Sequence, residues 1–455
     1  MKRWIWIGLA TAVVVGLGIT LVAVPRGPEW TTSSPEALAE FEAGMDAEMK
    51  LYKAEAEEHF RRAYELDPNF VVAGLFAMNS FYREDKEKAE ALREEILSAD
   101  ISGLTGREQY FVERERAVSE KRREDVPEIV DRYFAKYPND PHILNQKAIH
   151  HWSTGDFETA EPLYRRLAEI APNWVIAYNQ LGYINMSRGR FAEAEEYFKS
   201  YRFIAPDQAN PHDSLGELFI ALGRYDEAEE SFEQALKFKP DFWNTYEHIA
   251  ILKAYTGDLE GLHETIERAA SAGIPEDYVR EFGCVEEFMS LRNKEAWQEI
   301  LDLAETSPCV EKPNPSFAKT TVHLAACKLG DWDTALEIEG EAEGLLAKYE
   351  GSSAWKNMEM LRAVTENMKG VRFALQGDND EAEKWLKAAD KNLTYIETNP
   401  ALFKLYNRTV LTETYLADGQ DAEAHALLAK VRGVNPAWVT EFEDSGFSAI
   451  GLERG

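Results

Sequence analysis

The chain has 455 residues, enough for about two or three ordinary domains, and its 45% hydrophobic and 11% aromatic content supplies a large core and excludes wholesale disorder. Eighty-one acidic residues against 50 basic ones give a formal charge of -31, a sign that repels phosphate backbones and argues against nucleic acid as a partner. With 3 cysteines and no C-x-x-C pair, neither a disulfide framework nor a redox motif is indicated.

The first predicted element is the run Trp4 to Val24, 21 residues without a charged side chain. At about 1.5 Å per residue it just spans a hydrocarbon core of about 30 Å. Lys2 and Arg3 precede it and Arg26 follows it, so the positive-inside bias keeps the N-terminus in the cytoplasm and sends the body across. Residues 1–30 therefore read as a signal anchor, single-pass in a bacterial inner membrane, with the body in the periplasm. The competing reading is a cleaved signal peptide that leaves the protein secreted to the periplasm; Leu21 and Ala23 give it no clean small-x-small site.

From there onward the sequence repeats. Gly155, Gly189, Gly223 and Gly257 are each 34 apart, as are Ala160, Ala194 and Ala228, then Tyr164, Phe198 and Phe232, then Pro172, Pro206 and Pro240. Each Gly sits where a helix must end in a tight turn and each Ala where two helices approach closely. Each aromatic falls on the packed face, and each Pro follows the end of the second helix. The unit is a helix–turn–helix hairpin. Residues 174–206, with Leu181, Gly182, Gly189, Ala194, Phe198 and Pro206 in register, resemble the tetratricopeptide repeat.

Unit starts at 141, 175, 209 and 243 extend outward to 107 and 277, both without the turn Gly, and a further unit begins at 37, followed by a degenerate one from about 71. Toward the C-terminus the Gly–Ala spacing of five returns at Gly330/Ala335, Gly377/Ala382 and Gly419/Ala424, now at longer intervals. The expected fold is all-α: a right-handed superhelical solenoid of about eleven such units after one N-terminal transmembrane helix. Residues 31–315 form the N-terminal array. A Pro-dense linker at 307–315 precedes a more irregular array over 316–455, closed by a short helix around Trp438 to Phe442.

Catalytic motifs are missing: no G-x-S-x-G, H-E-x-x-H, phosphate loop or kinase signature occurs, so no enzymatic activity, cofactor or metal is expected. His323 and Cys327 share a helix face at i and i+4, but two further ligands are lacking and a buried polar pair is the better reading. Cys284 and Cys309 are close enough to cross-link across one repeat; the alternative is that all three cysteines are small buried hydrophobes.

The resemblance implies a ligand-binding groove lined by the first helix of each unit, and carries that surface onto His142, Asn145, Trp152, Asn179, Tyr183, Met186, Asp213, Glu217 and Tyr255. Asn side chains there would bond an extended peptide while the aromatic and Met side chains cover its apolar groups. The carboxylate-clamping cations of chaperone-binding members are lacking, since Asn145, Ile149, Gln180, Asn210 and Ser214 stand at those positions, and the Asn ladder of glycosyltransferase members is replaced by Gln146, Gln180, Ser214 and His248. The function so implied is a membrane-anchored periplasmic scaffold for protein or peptide partners, of basic character given the acidic body. A ligand- or carbohydrate-responsive regulator of a membrane or periplasmic enzyme is the alternative.

Overall fold

The structure, a computed structural model, describes residues 30–49, 52–310, 317–350, 358–444 and 449–452. The expected transmembrane run 4–24 and the linker residues 311–315 lie outside them. Among the described residues every regular element is helical, and no helix is long and apolar enough to cross a membrane.

Antiparallel hairpins follow one another. Helix α1 (Pro35–Met49) pairs with α2 (Lys53–Leu66). The degenerate unit breaks its first helix into α3 (Val71–Phe76) and α4 (Met78–Glu84) before α5 (Lys86–Ser98). Then come α6 (Gly106–Ser119) with α7 (Val126–Lys136), and α8 (Pro141–Ser153) with α9 (Phe157–Ile170). The regular centre holds α10 (Val175–Ser187) with α11 (Phe191–Ile204), α12 (Asn210–Ala221) with α13 (Tyr225–Phe238), and α14 (Trp243–Thr256) with α15 (Leu259–Ser271). Beyond it lie α16 (Glu276–Asn293) with α17 (Trp297–Ala304), and α18 (Phe317–Leu329) with α19 (Trp332–Tyr349). The last hairpins are α20 (Glu359–Leu375) with α21 (Asn379–Asn392), and α22 (Thr398–Ala417) with α23 (Asp421–Val434), and α24 (Pro436–Asp444) closes the series. These pairings make eleven hairpins and a closing helix among the described residues, in the predicted order.

The turn chemistry is local. Gly155, Gly189, Gly223, Gly257, Gly330, Gly377 and Gly419 all have φ between 69° and 82°, the left-handed region where a side chain would be strained. In four turns the next residue is an aspartate, and Asp156, Asp258, Asp331 and Asp378 each accept a hydrogen bond from the backbone N–H three residues on, capping the second helix. In the units lacking the turn Gly, Lys121 and Glu295 take the same conformation at φ 59° and 53°. Lys121→Gly should raise the unfolding free energy by about 0.5–1 kcal/mol, the left-handed penalty of about 1–2 kcal/mol less the extra backbone entropy that glycine loses. Urea denaturation checks this, and a less stable variant would contradict it.

Close packing within hairpins is set by the small residues. A Cβ on Gly182 would lie 2.3 Å from Phe198 Cε1, and one on Gly216 2.3 Å from Phe232 Cε1, so each aromatic ring lies directly on the partner helix's backbone. Ala160, Ala194 and Ala228 are wholly buried at the matching crossings.

Beyond the stacking of neighbours, the chain folds back on itself. One apolar core joins α10 to α16 with residues 395 to 439, so the N-terminal and C-terminal arrays share a common interior. The Asn435 side chain donates to Ile220 O at 3.1 Å over the Gly223 turn, and Trp438 Nε1–H donates to Thr409 Oγ1 at 3.0 Å. Cys284 on α16 and Cys309 after α17 form a disulfide with Cα atoms 5.8 Å apart, whereas Cys327 is a buried free thiol.

Candidate functional site

Helix α12 presents Asp213 and Glu217 at i and i+4, hence on one face. Helix α14, one unit on, presents Thr245, Glu247 and His248 toward them. The N-terminus of α22 descends onto this pair of helices from the other end of the chain. Glu217 Oε2 accepts from Thr398 N at 2.9 Å and from Thr398 Oγ1 at 3.2 Å, a contact between residues 181 apart in sequence. Its Oε1 accepts from Tyr183 OH at 2.5 Å. Asp213 Oδ1 accepts from Thr245 Oγ1 at 2.7 Å and lies 3.1 Å from His248 Nδ1. His248 Nε2 stands 3.5 Å from Glu217 Oε2, and Ser214 Oγ donates to Asn179 Oδ1 at 3.1 Å.

Burial and like charge govern the protonation of this cluster. Asp213 and Glu217 are 3% and 2% exposed. Burial pushes the Glu217 carboxyl up, with Asp213 adding to it and His248 opposing. Burial disfavours the His248 imidazolium, but Asp213 and Glu217 outweigh it and hold the ring's pKa up at about 10. Glu247 is raised, chiefly by burial. Glu397 keeps contact with solvent, yet partial burial of its carboxyl and the nearby Glu217 charge raise it to about 7.

These shifts fix the sign of a pH effect. A carboxyl raised from 4.5 to about 7 favours the folded state when protonated, so the contribution of Glu397 is present below its ordinary pKa and is lost as pH climbs to about 7. His248, raised from 6.5 to about 10, contributes fully below 6.5 and loses that contribution as pH passes about 10. Carboxyls held low elsewhere, such as Glu339 and Asp390, act only at more acidic pH. Burial lowers His142 to about 3 and so works against these two groups below pH 6.5; the thermal midpoint should therefore fall from about pH 6.5 to about pH 9, and calorimetry showing a rise across that window would contradict the assignment.

The groove residues expected from the sequence separate into distinct places. Asn179, Tyr183, Asp213 and Glu217 come together in this cluster. His142 lies instead in an aromatic nest with Trp30, Phe111 and Trp174, its ring centroid 4.7 Å from that of Trp174. Asn145 is buried, and its Oδ1 has no hydrogen-bond partner. Trp152 packs on Phe157 at 5.0 Å, so it fills the space between helices. Met186 is wholly buried in the core that α10 shares with the following hairpins, because its face of the helix is covered by the next unit, and it lines no open surface. Tyr255 faces Trp438 of α24 and one wall of a cavity of about 90 Å³, which Arg292, His323, Asn367 and Tyr406 also line. An open concave surface along the central units is thus replaced by one that α22 and α24 fill.

Glu247, Thr245, Glu397 and Thr398 were not among the expected residues. Glu247 had a signal: Asn145, Asn179, Asp213, Glu247 and Glu281 form a row at a spacing of 34, turning from amide to carboxylate along the array. Glu397 and Thr398 had none, since they stand outside the repeat register.

The pair His323 and Cys327 is brought into a different buried network. His323 Nε2 is 3.0 Å from Glu339 Oε1, and Arg372 donates to both Glu339 oxygens at 2.8 and 3.1 Å. The guanidinium already supplies the cation there. Burial pushes the Cys327 thiol up to about 12, so it holds its proton rather than acting as a thiolate ligand.

Residues 175–241 match the tetratricopeptide repeat family. Among solved structures, the chain is similar to the crystal structure of the APC/C hetero-tetramer Cut9–Hcn1, with 13% identity, a TM-score of 0.40, and coverage of 90% of this chain and 86% of that one. It is also similar to the P58(IPK) TPR domain, with 14% identity, a TM-score of 0.22, and coverage of 87% and 98%. No curated protein matches the chain.

Proposed function

We propose that this chain, whose residues 175–241 match tetratricopeptide repeats, is a membrane-anchored scaffold that binds basic segments of partner proteins at the acidic groove mouth beyond α22 and performs no catalysis. Residues 4–24 serve as the anchor and the body works in the periplasm. The observation that carries the reading is the way the concave face already holds a segment of this chain: Glu217 grips the Thr398 main-chain N–H as it would grip an incoming strand or helix terminus. Past the end of α22, Glu247, Glu281 and Glu397 leave the groove mouth acidic, which favours Lys- and Arg-rich segments and speeds their approach at low salt.

Cross-linking from membranes, followed by titration of the identified partner onto the purified protein, tests this. Binding that weakens with salt and falls in the double variant Glu247→Gln, Glu281→Gln supports it; undiminished binding by that variant overturns it. Osmotic-shock fractionation tests the anchor, and a released mature protein would refute it.

A further inference from the structure

We propose that Asp213, Glu217 and His248 form a site for one divalent transition-metal ion of the zinc class, which braces α12 against α14 beneath the N-terminus of α22. One ligand atom from each of the three residues lies within 4.8 Å of the others. A tetrahedral ion bound at about 2.0–2.2 Å sets its ligand atoms about 3.3–3.6 Å apart, so side-chain shifts of about an ångström close the site. His248 Nδ1 lies 3.1 Å from Asp213 Oδ1 and Nε2 lies 3.5 Å from Glu217 Oε2, so a turn of the ring sets one nitrogen between the two carboxylates; the 3.5 Å gap is long for a hydrogen bond and matches two neighbouring ligands on a tetrahedral ion.

Charge points the same way. Two buried carboxyl groups face one imidazole, and Glu247 and Glu397 make no ion pair with Lys or Arg among the described residues. A dication with a neutral imidazole balances Asp213 and Glu217 in full. The carboxylates are also held in place by groups that do not bind metal: the Thr245 hydroxyl donates to Asp213, and the Tyr183 hydroxyl and the Thr398 N–H donate to Glu217. Such outer hydrogen bonds are what orient carboxylate ligands at metal centres. Zinc suits this nitrogen-and-oxygen donor set, and the fourth position is open to water or to the Thr398 hydroxyl, 3.2 Å from Glu217 Oε2. Binding replaces one ring N–H bond of His248 by a nitrogen–metal bond and releases that proton to solvent. Affinity therefore rises with pH, under the combined field of Asp213, Glu217, Glu247, Glu397 and the neutral Tyr183.

The full chain, stripped with a chelator, is titrated with zinc chloride by calorimetry and with cobalt chloride by visible absorption. The expected result is a single equivalent bound with proton uptake by the buffer, tetrahedral-type cobalt bands, and an affinity at least about ten-fold weaker in His248→Gln and in Glu217→Gln. Asp213→Asn, which retains the shape of the side chain, should weaken binding likewise, and Glu281→Gln should not. If the wild-type chain binds neither ion, or if the variants that keep their circular dichroism spectrum bind as tightly as wild type, the cluster is an ion pair alone and the proposal fails. Partner binding is measured separately, so its presence or absence leaves this outcome unaffected.

Discussion

Glu217→Ala is expected to lower the unfolding free energy by about 3–5 kcal/mol, the usual cost of removing one member of a buried, hydrogen-bonded charge cluster. Four groups lose their acceptor at once: the Thr398 N–H, the Thr398 hydroxyl, the Tyr183 hydroxyl and one side of the His248 ring. The buried N–H is the costliest, because an unsatisfied buried donor costs its full desolvation penalty. Glu217→Gln separates this from a simple charge effect. The amide oxygen still accepts from Thr398, and the substitution removes one charge from a crowd of carboxylates, so its stability should stay within about 1 kcal/mol of wild type. Urea titration of both variants decides the matter. Equal losses would mean that the contact with α22 is held by charge alone.

Phe232→Ala should cost about 3–5 kcal/mol through the cavity it opens. The ring is wholly buried, lies on the Gly216 backbone, and has its centroid 6.0 Å from the His248 ring, so its loss undermines the floor of the cluster as well as the hairpin. Filling the same contact from the other side is also harmful: Gly216→Ala would place a Cβ 2.3 Å from Phe232 Cε1 and should cost about 1–3 kcal/mol. Thermal unfolding of the two variants, monitored by circular dichroism, checks both values, and a neutral Gly216→Ala would show that the ring has room to move.

How much of this the sequence discloses follows from what a repeat encodes. A period of 34 records the contacts each hairpin makes with itself and with its neighbours, so the hairpins, the left-handed turn glycines and the Phe198 and Phe232 contacts were all readable. The family resemblance, carried along the same period, placed Asn179, Tyr183, Asp213 and Glu217 on one surface, and would have added Glu247 had the acidic row been followed one unit further. The period sets Lys121 one repeat before Gly155, but could not disclose the turn at Glu295, which stands four residues past the register position 291. Nor could it disclose the pairing of Glu217 with Thr398 or of Ile220 with Asn435. Such contacts occur once, between residues 181 and 215 apart, and leave no periodic trace. Met186 was misplaced for a related reason. On a lone helix it faces outward, and only the following hairpins bury it.

That return of the C-terminal helices also sets an order of events during synthesis. Hairpins built from nearby residues can form as they leave the ribosome, whereas α22 reaches the central units only after a loop of nearly two hundred residues has closed, a slow step compared with local helix pairing. A nascent chain thus passes through an interval in which its acidic cradle is vacant, and refolding from urea should show a late phase that a chain ending before α22 lacks.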